Sequence, residues 1–186
     1  HTSDVTFHMD LNHMEIHKRN TEPWKVTLVD TGESTQTGGR LARVQSYLDD
    51  TFCFTYGDGV ADVNIDALVK HHKKQARQAT LTAVQPPGRY GALSLDGDQV
   101  IQFQEKPDGD GAWLNGGYFV LEPSVIDLID GDGCIWEQAP LNNLANNGEL
   151  SAYFHNSFWH PMDTLRDRQK LEELWASGQA PWKVWS

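Results

Sequence analysis

The stretch "FCFTYGDGVAD", Phe52 to Asp62, decides how the chain is read. Five uncharged residues run straight into Gly57-Asp58-Gly59. A short uncharged run rich in aromatics and bounded by glycines reads as a buried strand with both faces apolar, and such strands belong to sheets covered on both sides. In an open parallel sheet, ligands bind beyond the carboxyl ends of the strands. Asp58 stands at such an end. Its flanking glycines let the backbone turn sharply and let a bulky ligand approach. A lone carboxylate there suits a hard divalent cation, since Mg²⁺ typically takes one or two carboxylates plus phosphate oxygens. Gly-Asp-Gly is equally good turn chemistry, and from this segment alone both readings stand.

Outward from that stretch, short apolar runs alternate with helical patterns. Upstream, "WKVTLVD" (Trp24 to Asp30) reads as a strand, and "RLARVQSYL" places Leu41, Val44 and Leu48 at helical spacing. Downstream, "NIDALVKHHKKQ" reads as a helix capped by Asn64, with Ile65, Leu68, Val69 and His72 on one face. "ATLTAVQ" (Ala79 to Gln85) is the next strand, ended by Pro86-Pro87-Gly88. Strand–helix–strand order implies a parallel sheet with right-handed crossovers. The second half predicts a hairpin with Asp96-Gly97 at its turn, a strand in "GGYFVLEP", short helices in "SVIDLI" and "PLNNLANNG", a strand in "LSAYFHN", and a terminal helix. In that helix Leu171, Leu174 and Trp175 face inward and Gly178 is the stop.

At 186 residues and 39% hydrophobic content the chain has enough material for one domain with a core. A formal charge of −11 argues against nonspecific nucleic-acid binding, which needs a basic surface, but leaves room for an anionic small ligand held by a few local cations. No apolar run reaches membrane length. Cys53 and Cys134 are the only cysteines; Cys53, inside an apolar run, reads as a buried thiol rather than half of a bridge, which points to a reducing, cytoplasmic setting. The eight histidines suggest no metal cluster: His71 and His72 are adjacent on a helix and cannot share a face, and His13 and His17 have no third ligand nearby.

Other segments carry candidate chemistry. Asp163, in "FWHPMDTLRD", opens the terminal helix and reads either as a second metal carboxylate or as an N-cap. "STQTGGRL" offers hydroxyls, glycines and Arg40 at a helix start, where backbone amides can hold an anion or the polar edge of a base; a capped flexible loop is the alternative. In "FQEKP", Glu105 and Lys106 point to opposite faces of a strand, so they suit split roles rather than pairing with each other; two exposed surface charges are the plain alternative. "NGGYF" sets Asn115 before two glycines, and "PPGRYG" places Arg89 and Gly91 in a loop after a strand.

Taken in order, "TGGRL", "YGDGVAD", "PPGRYGAL", "FQEKP", "NGGYFVL", "WEQAPL" and "FWHPMDTLRD" resemble the sugar nucleotidyltransferases over essentially the whole chain. "VTLVDTGESTQTGGRL" and "APWKVW" resemble the cytidylyl branch of that family rather than the thymidylyl or uridylyl branches. The resemblance implies an α/β, Rossmann-like nucleotide-diphospho-sugar transferase fold with a mixed, mainly parallel sheet flanked by helices. It implies CTP and glucose 1-phosphate as substrates, Mg²⁺ as cofactor, and CDP-glucose and pyrophosphate as products. By the same resemblance Asp58 and Asp163 hold the metal. Thr35, Arg40 and Gly57 lie along the nucleotide; Gly91, Glu105 and Asn115 hold the glucose hydroxyls; Lys106 meets the sugar phosphate and counts with Asp58 and Asp163 among the catalytic residues. The family opens with a glycine-rich G-G-x-G-T-R-L signature and a later P-K-P, neither of which this sequence contains. The expectation is therefore a single domain, 1–186, lacking an N-terminal nucleotide-binding segment and impaired in turnover, with a homo-oligomeric full-length form. Two alternatives stay open: a sugar nucleotidyltransferase of different base or sugar, and a non-catalytic sugar-phosphate-binding remnant. A glycosyltransferase is disfavoured because Asp58 and Asp62 are four apart, not the Asp-x-Asp such enzymes use.

Overall fold

The computed structural model describes residues 4–17, 24–85, 92–96, 98–104 and 112–185. The chain divides into two compact units, His1–Asp30 and Thr31–Ser186. In the first, β1 (Val5–His8) and β2 (His13–Ile16) form an antiparallel hairpin with Val5 opposite Ile16. Residues 24–30 join no ladder, and Trp24, Val26 and Leu28 are exposed, so the strand expected there does not form. A strand exists only through partners for its N–H and C=O groups, and no described strand lies alongside this run.

The second unit runs α1 (Thr37–Arg43), β3 (Phe52–Thr55), β4 (Gly59–Ala61), α2 (Ile65–Gln75), β5 (Ala79–Val84), β6 (Ala92–Asp96), β7 (Gln99–Gln104), β8 (Leu114–Leu121), α3 (Ala139–Asn146), β9 (Leu150–His155), β10 (Trp159–Pro161) and α4 (Leu165–Ala176). The main sheet has the order β3-β8-β5-β9. It is mixed and flanked by helices, as expected. β3, β5 and β9 run the same way and β8 runs against them. The strand–helix–strand reading put β3 and β5 in one parallel sheet; β8 lies between them and pairs antiparallel with both. Among the described residues β3 is therefore an edge strand. That is why its burial alternates rather than covering both faces, and why Cys53 is an exposed free thiol instead of a buried one.

The core lies on one face of this sheet. Phe119 and Leu121 of β8 and Ala79 of β5 meet Leu41 of α1, Leu141 and Leu144 of α3, Val125 and Ile126 of a short 3₁₀ turn, and Trp136. The opposite parity of the same strands, Thr80 and Val120, faces α2 through Leu68 and His72, both almost fully buried. α2 starts where the sequence places it: the Asn64 side chain accepts from Ala67 N at 2.9 Å. It ends at Ala76, in the left-handed region at φ 50°. α1 is shorter than expected; Val44, at φ −100° and ψ 7°, breaks it into a 3₁₀ turn. In α4, Leu171 is buried but Trp175 is not; Trp175 packs against Trp185, with Lys183 Nζ 5.9 Å from its ring centre. Among the described residues no helix is long and apolar enough to cross a membrane.

His72 ties the helix to the sheet by polar bonds. Its Nδ1 lies 2.8 Å from Thr80 Oγ1 and its Nε2 lies 3.0 Å from Glu122 Oε1, which also accepts from Thr51 Oγ1 at 2.8 Å. The hydrogen bond from His72 holds the Glu122 carboxyl below its usual range, against the opposing effect of burial, and the Thr51 bond adds to the lowering. A carboxyl held low in the folded state adds stability above its unfolded value, about 4.3. That stability is lost as pH falls through the lower folded value. The stability advantage of the wild type over Glu122→Gln should therefore shrink between neutral pH and about pH 3. Urea midpoints of the two proteins across that range test it, and a gap that does not change with pH contradicts it.

Candidate active site

Two three-residue strands build the site. β4 and β10 pair antiparallel, Gly59 opposite Pro161 and Ala61 opposite Trp159. Met162 N continues the ladder by donating to Asp58 O at 2.7 Å. This register brings Asp58, just before β4, alongside Met162 and Asp163, just after β10. Both carboxylates are exposed and line one cleft of about 210 Å³. The choice between cap and ligand for Asp163 is decided by its neighbour. Thr164 is the N-cap of α4; its hydroxyl accepts from Asp167 N at 3.2 Å, and Thr164 N donates to Asp167 Oδ2 at 3.0 Å in a capping box. Asp163 is left out of the cap, its carboxylate open to the cleft.

β8 supplies the floor. Asn115 Oδ1 accepts from Gly117 N at 2.9 Å and its Nδ2 donates to Tyr56 OH at 3.2 Å, which fixes the amide and leaves one N–H for a ligand. Gly116 O accepts from Trp159 Nε1 at 2.7 Å, tying β10 to the sheet. Gly117, at φ 76°, lies so close to the Tyr56 ring that a Cβ there would sit 2.6 Å from it. Burial pushes the Tyr56 phenol far above its usual range; the hydrogen-bonded, negatively charged Glu137 adds to the rise, the Asn115 bond opposes it, and the Asp58 charge contributes a little more. Tyr56 therefore stays a neutral hydroxyl and does not serve as a base near neutral pH.

Of the residues singled out in the sequence, Asp58, Asn115 and Asp163 come together in this cleft. Thr35, Arg40 and Gly57 are not among its lining residues. Gly91, Glu105 and Lys106 lie outside the described residues. Tyr56 and Trp159 were not recognised as site residues. Tyr56 touches the Gly-Asp-Gly turn in sequence, which was a usable signal; Trp159 had none.

In the "TGGRL" segment the backbone amides have partners within the chain. Gly38 N and Gly39 N both donate to Cys134 O, at 2.9 and 3.2 Å, and Gln36 N donates to Asp132 O at 2.9 Å. Those amides are already satisfied by protein. The glycines are there for close packing: a Cβ on Gly38 would lie 2.8 Å from Cys134 O, and one on Gly39 2.6 Å from Asp132 O. Arg43 clamps the same loop with both Asp132 oxygens, holding that carboxyl below its usual range. Arg40 donates to Thr31 Oγ1 at 2.7 Å and to Glu33 O at 3.1 Å. Gly39→Ala should cost about 1–3 kcal/mol of stability by overpacking backbone that cannot yield. Denaturant unfolding measures it, and a loss below experimental error contradicts the packing account.

Sequence comparison decides the lineage. The profile of the Nucleotidyl transferase family matches residues 5–157. The chain belongs to the nucleotidyl transferase family. It is 62% identical over 187 residues to a glucose-1-phosphate cytidylyltransferase of Salmonella typhi, covering 100% of this chain and 73% of that protein. It is 40% identical over 166 residues to a probable glucose-1-phosphate cytidylyltransferase of Bacillus subtilis (strain 168), covering 88% of this chain and 65% of that one. Among solved structures, HddC from Yersinia pseudotuberculosis superposes with a TM-score of 0.59 at 21% identity, over 77% of this chain and 64% of that chain. A UDP-glucose pyrophosphorylase complexed with UDP-glucose gives 0.57 at 10% identity, over 80% and 64%. At those identities the structures show the shared nucleotidyltransferase fold.

The cleft suits a hard divalent ion. Its lining holds two exposed carboxylates, Asp58 and Asp163, and no cysteine or histidine. That is the donor set of Mg²⁺ sites completed by substrate phosphates and water.

Proposed function

We propose that this nucleotidyltransferase transfers the cytidylyl group of CTP to α-D-glucose 1-phosphate, giving CDP-glucose and pyrophosphate, with Mg²⁺ held by Asp58 and Asp163. The observation that carries the substrate assignment is 62% identity along the whole chain to an enzyme of that name. The convergence of two carboxylates beside Asn115 supports the metal and the sugar.

The nucleophile is a sugar-phosphate oxygen, and its bond to the α-phosphorus forms as the bond from that phosphorus to pyrophosphate breaks. A phosphate monoester, with a second pKa of about 6, is already largely dianionic at neutral pH. The attack therefore needs no general base, which agrees with a cleft whose two phenols, Tyr56 and Tyr118, are both pushed above their usual range by burial. The difficulty is bringing two anions together in line, so positioning and charge compensation supply the catalysis. Asp58 and Asp163 would hold Mg²⁺, which would supply charge neutralisation to the phosphates. Asn115, fixed by Gly117 and Tyr56, offers its free N–H to a glucose hydroxyl. By family resemblance Gly91 and Glu105 complete the sugar contacts, Lys106 meets the sugar phosphate, and Thr35, Arg40 and Gly57 follow the nucleotide. The reading includes a cytoplasmic enzyme, where nucleoside triphosphates are available, and a homo-oligomer.

Incubating the chain with Mg²⁺, glucose 1-phosphate and each of the four ribonucleoside triphosphates, with products identified by mass, tests the proposal. CDP-glucose with pyrophosphate, formed fastest with CTP, is expected. Turnover is expected to be slower than in a chain that carries the family's glycine-rich N-terminal segment, and a different sugar nucleotide as the main product overturns the assignment.

A further inference from the structure

We propose that Asp62 and His155 are positioning residues: together they latch the far end of the β4–β10 ladder and so fix the spacing of Asp58 and Asp163. The proposal rests on the metal reading above.

The ladder is three residue pairs long. A two-stranded ribbon of that length does not hold its shape alone. At one end, Met162 N to Asp58 O closes it beside the two carboxylates. At the other end stands a cluster that the proposed chemistry does not use. Asp62 N donates to Phe158 O at 3.2 Å. His155, the last residue of β9 and only 8% exposed, has its Nε2 3.0 Å from the same carbonyl and 3.1 Å from Asp62 Oδ1. Ser157 Oγ donates to Asp62 Oδ2 at 2.5 Å. Oδ1 itself is buried and has no aligned hydrogen bond, so the imidazole edge beside it is its electrostatic partner. Because β9 belongs to the main sheet, this cluster anchors the small ladder to the rigid body of the fold.

Ser, His and Asp in one cluster are not a nucleophile relay here. The serine hydroxyl donates to the aspartate and not to the histidine, so no imidazole is placed to take its proton. The cluster holds backbone in place. Groups that hold metal ligands from behind typically alter metal affinity 10–100-fold when removed.

The test is a titration with Mn²⁺ alone, followed by the electron paramagnetic resonance of the free ion, with a thermal melt of each sample. Asp62→Ala should weaken Mn²⁺ binding about tenfold or more in protein that remains folded. Asp62→Asn keeps an oxygen against His155 and a hydrogen-bonding partner for Ser157, and should bind close to the wild type. If Asp62→Ala does not fold, His155→Ala takes its place with the same expected loss. A wild type that binds Mn²⁺, together with variants that bind it equally well, overturns the latch and leaves the metal site intact. A wild type that binds no Mn²⁺ overturns both.

Discussion

Asp58→Asn should slow CDP-glucose formation by about 10²–10³-fold, the cost of removing one preorganised electrostatic group from a transition state, while leaving the fold unchanged. The side chain is exposed and makes no bond among the described residues that its amide analogue would break; what Asp58 gives to the fold is its backbone carbonyl, which accepts from Met162 N. An amide keeps the shape and one oxygen but loses the charge that a hard cation requires. Steady-state rates at saturating sugar phosphate, with circular dichroism of the same preparations, check it. A variant retaining more than about a tenth of the wild-type rate contradicts a metal role for Asp58. Raising Mg²⁺ should recover part of the loss, because the site is weakened and not reshaped.

The largest effect on stability is expected at Trp136. It is fully buried, in edge-on contact with Phe54 and Phe119 at ring distances of 6.3 and 6.2 Å, and it belongs to the main core. Its backbone N donates to Thr37 Oγ1 at 3.0 Å, and Thr37 in turn donates to Glu137 Oε2 at 2.7 Å. Trp136 thus joins α1, the edge of the sheet and the segment leading to α3. Trp136→Ala should cost about 3–5 kcal/mol through lost burial and the cavity left behind. Trp136→Phe should cost distinctly less, because the buried indole N–H has no acceptor among the described residues, so its loss breaks no hydrogen bond there. Denaturant unfolding of both variants measures this. A cost below about 1 kcal/mol for the alanine contradicts the placement of Trp136 at the centre of the core.

Much of the fold was legible because it is locally encoded. Asn64 announces α2 by cap chemistry, and Gly148 ends the α3 segment at φ 72° as its position implies. The runs at Ala79–Val84, Leu114–Leu121 and Leu150–His155 are strands because they are apolar and bounded by turn residues. What failed depends on distant partners. No period in the sequence says that β8 enters between β3 and β5, so Cys53 was assigned to the interior of a sheet whose edge it occupies. The run at 24–30 has strand composition without a described partner. Trp175 has helical spacing with Leu171 but turns toward the C-terminal segment instead of the core.

The site divides the same way. Asp58, Asn115 and Asp163 were legible because glycines and a helix start mark where the backbone bends. Gly38 and Gly39 left two readings open for the same reason: glycine marks close approach but not what approaches, and here the chain's own 132–134 backbone does. The β4–β10 ladder, three residues on each side, is too short to show a period. With it went the pairing that aligns the two carboxylates, and the Asp62–His155 contact behind them.

In the proposed mechanism Asp58 and Asp163 together bind one divalent cation. Crystals grown with Mn²⁺ and CTP, measured for the anomalous signal of manganese, test it most directly. One peak within bonding distance of both carboxylates is expected. A peak held by neither of them, in an enzyme that still makes CDP-glucose, would contradict it.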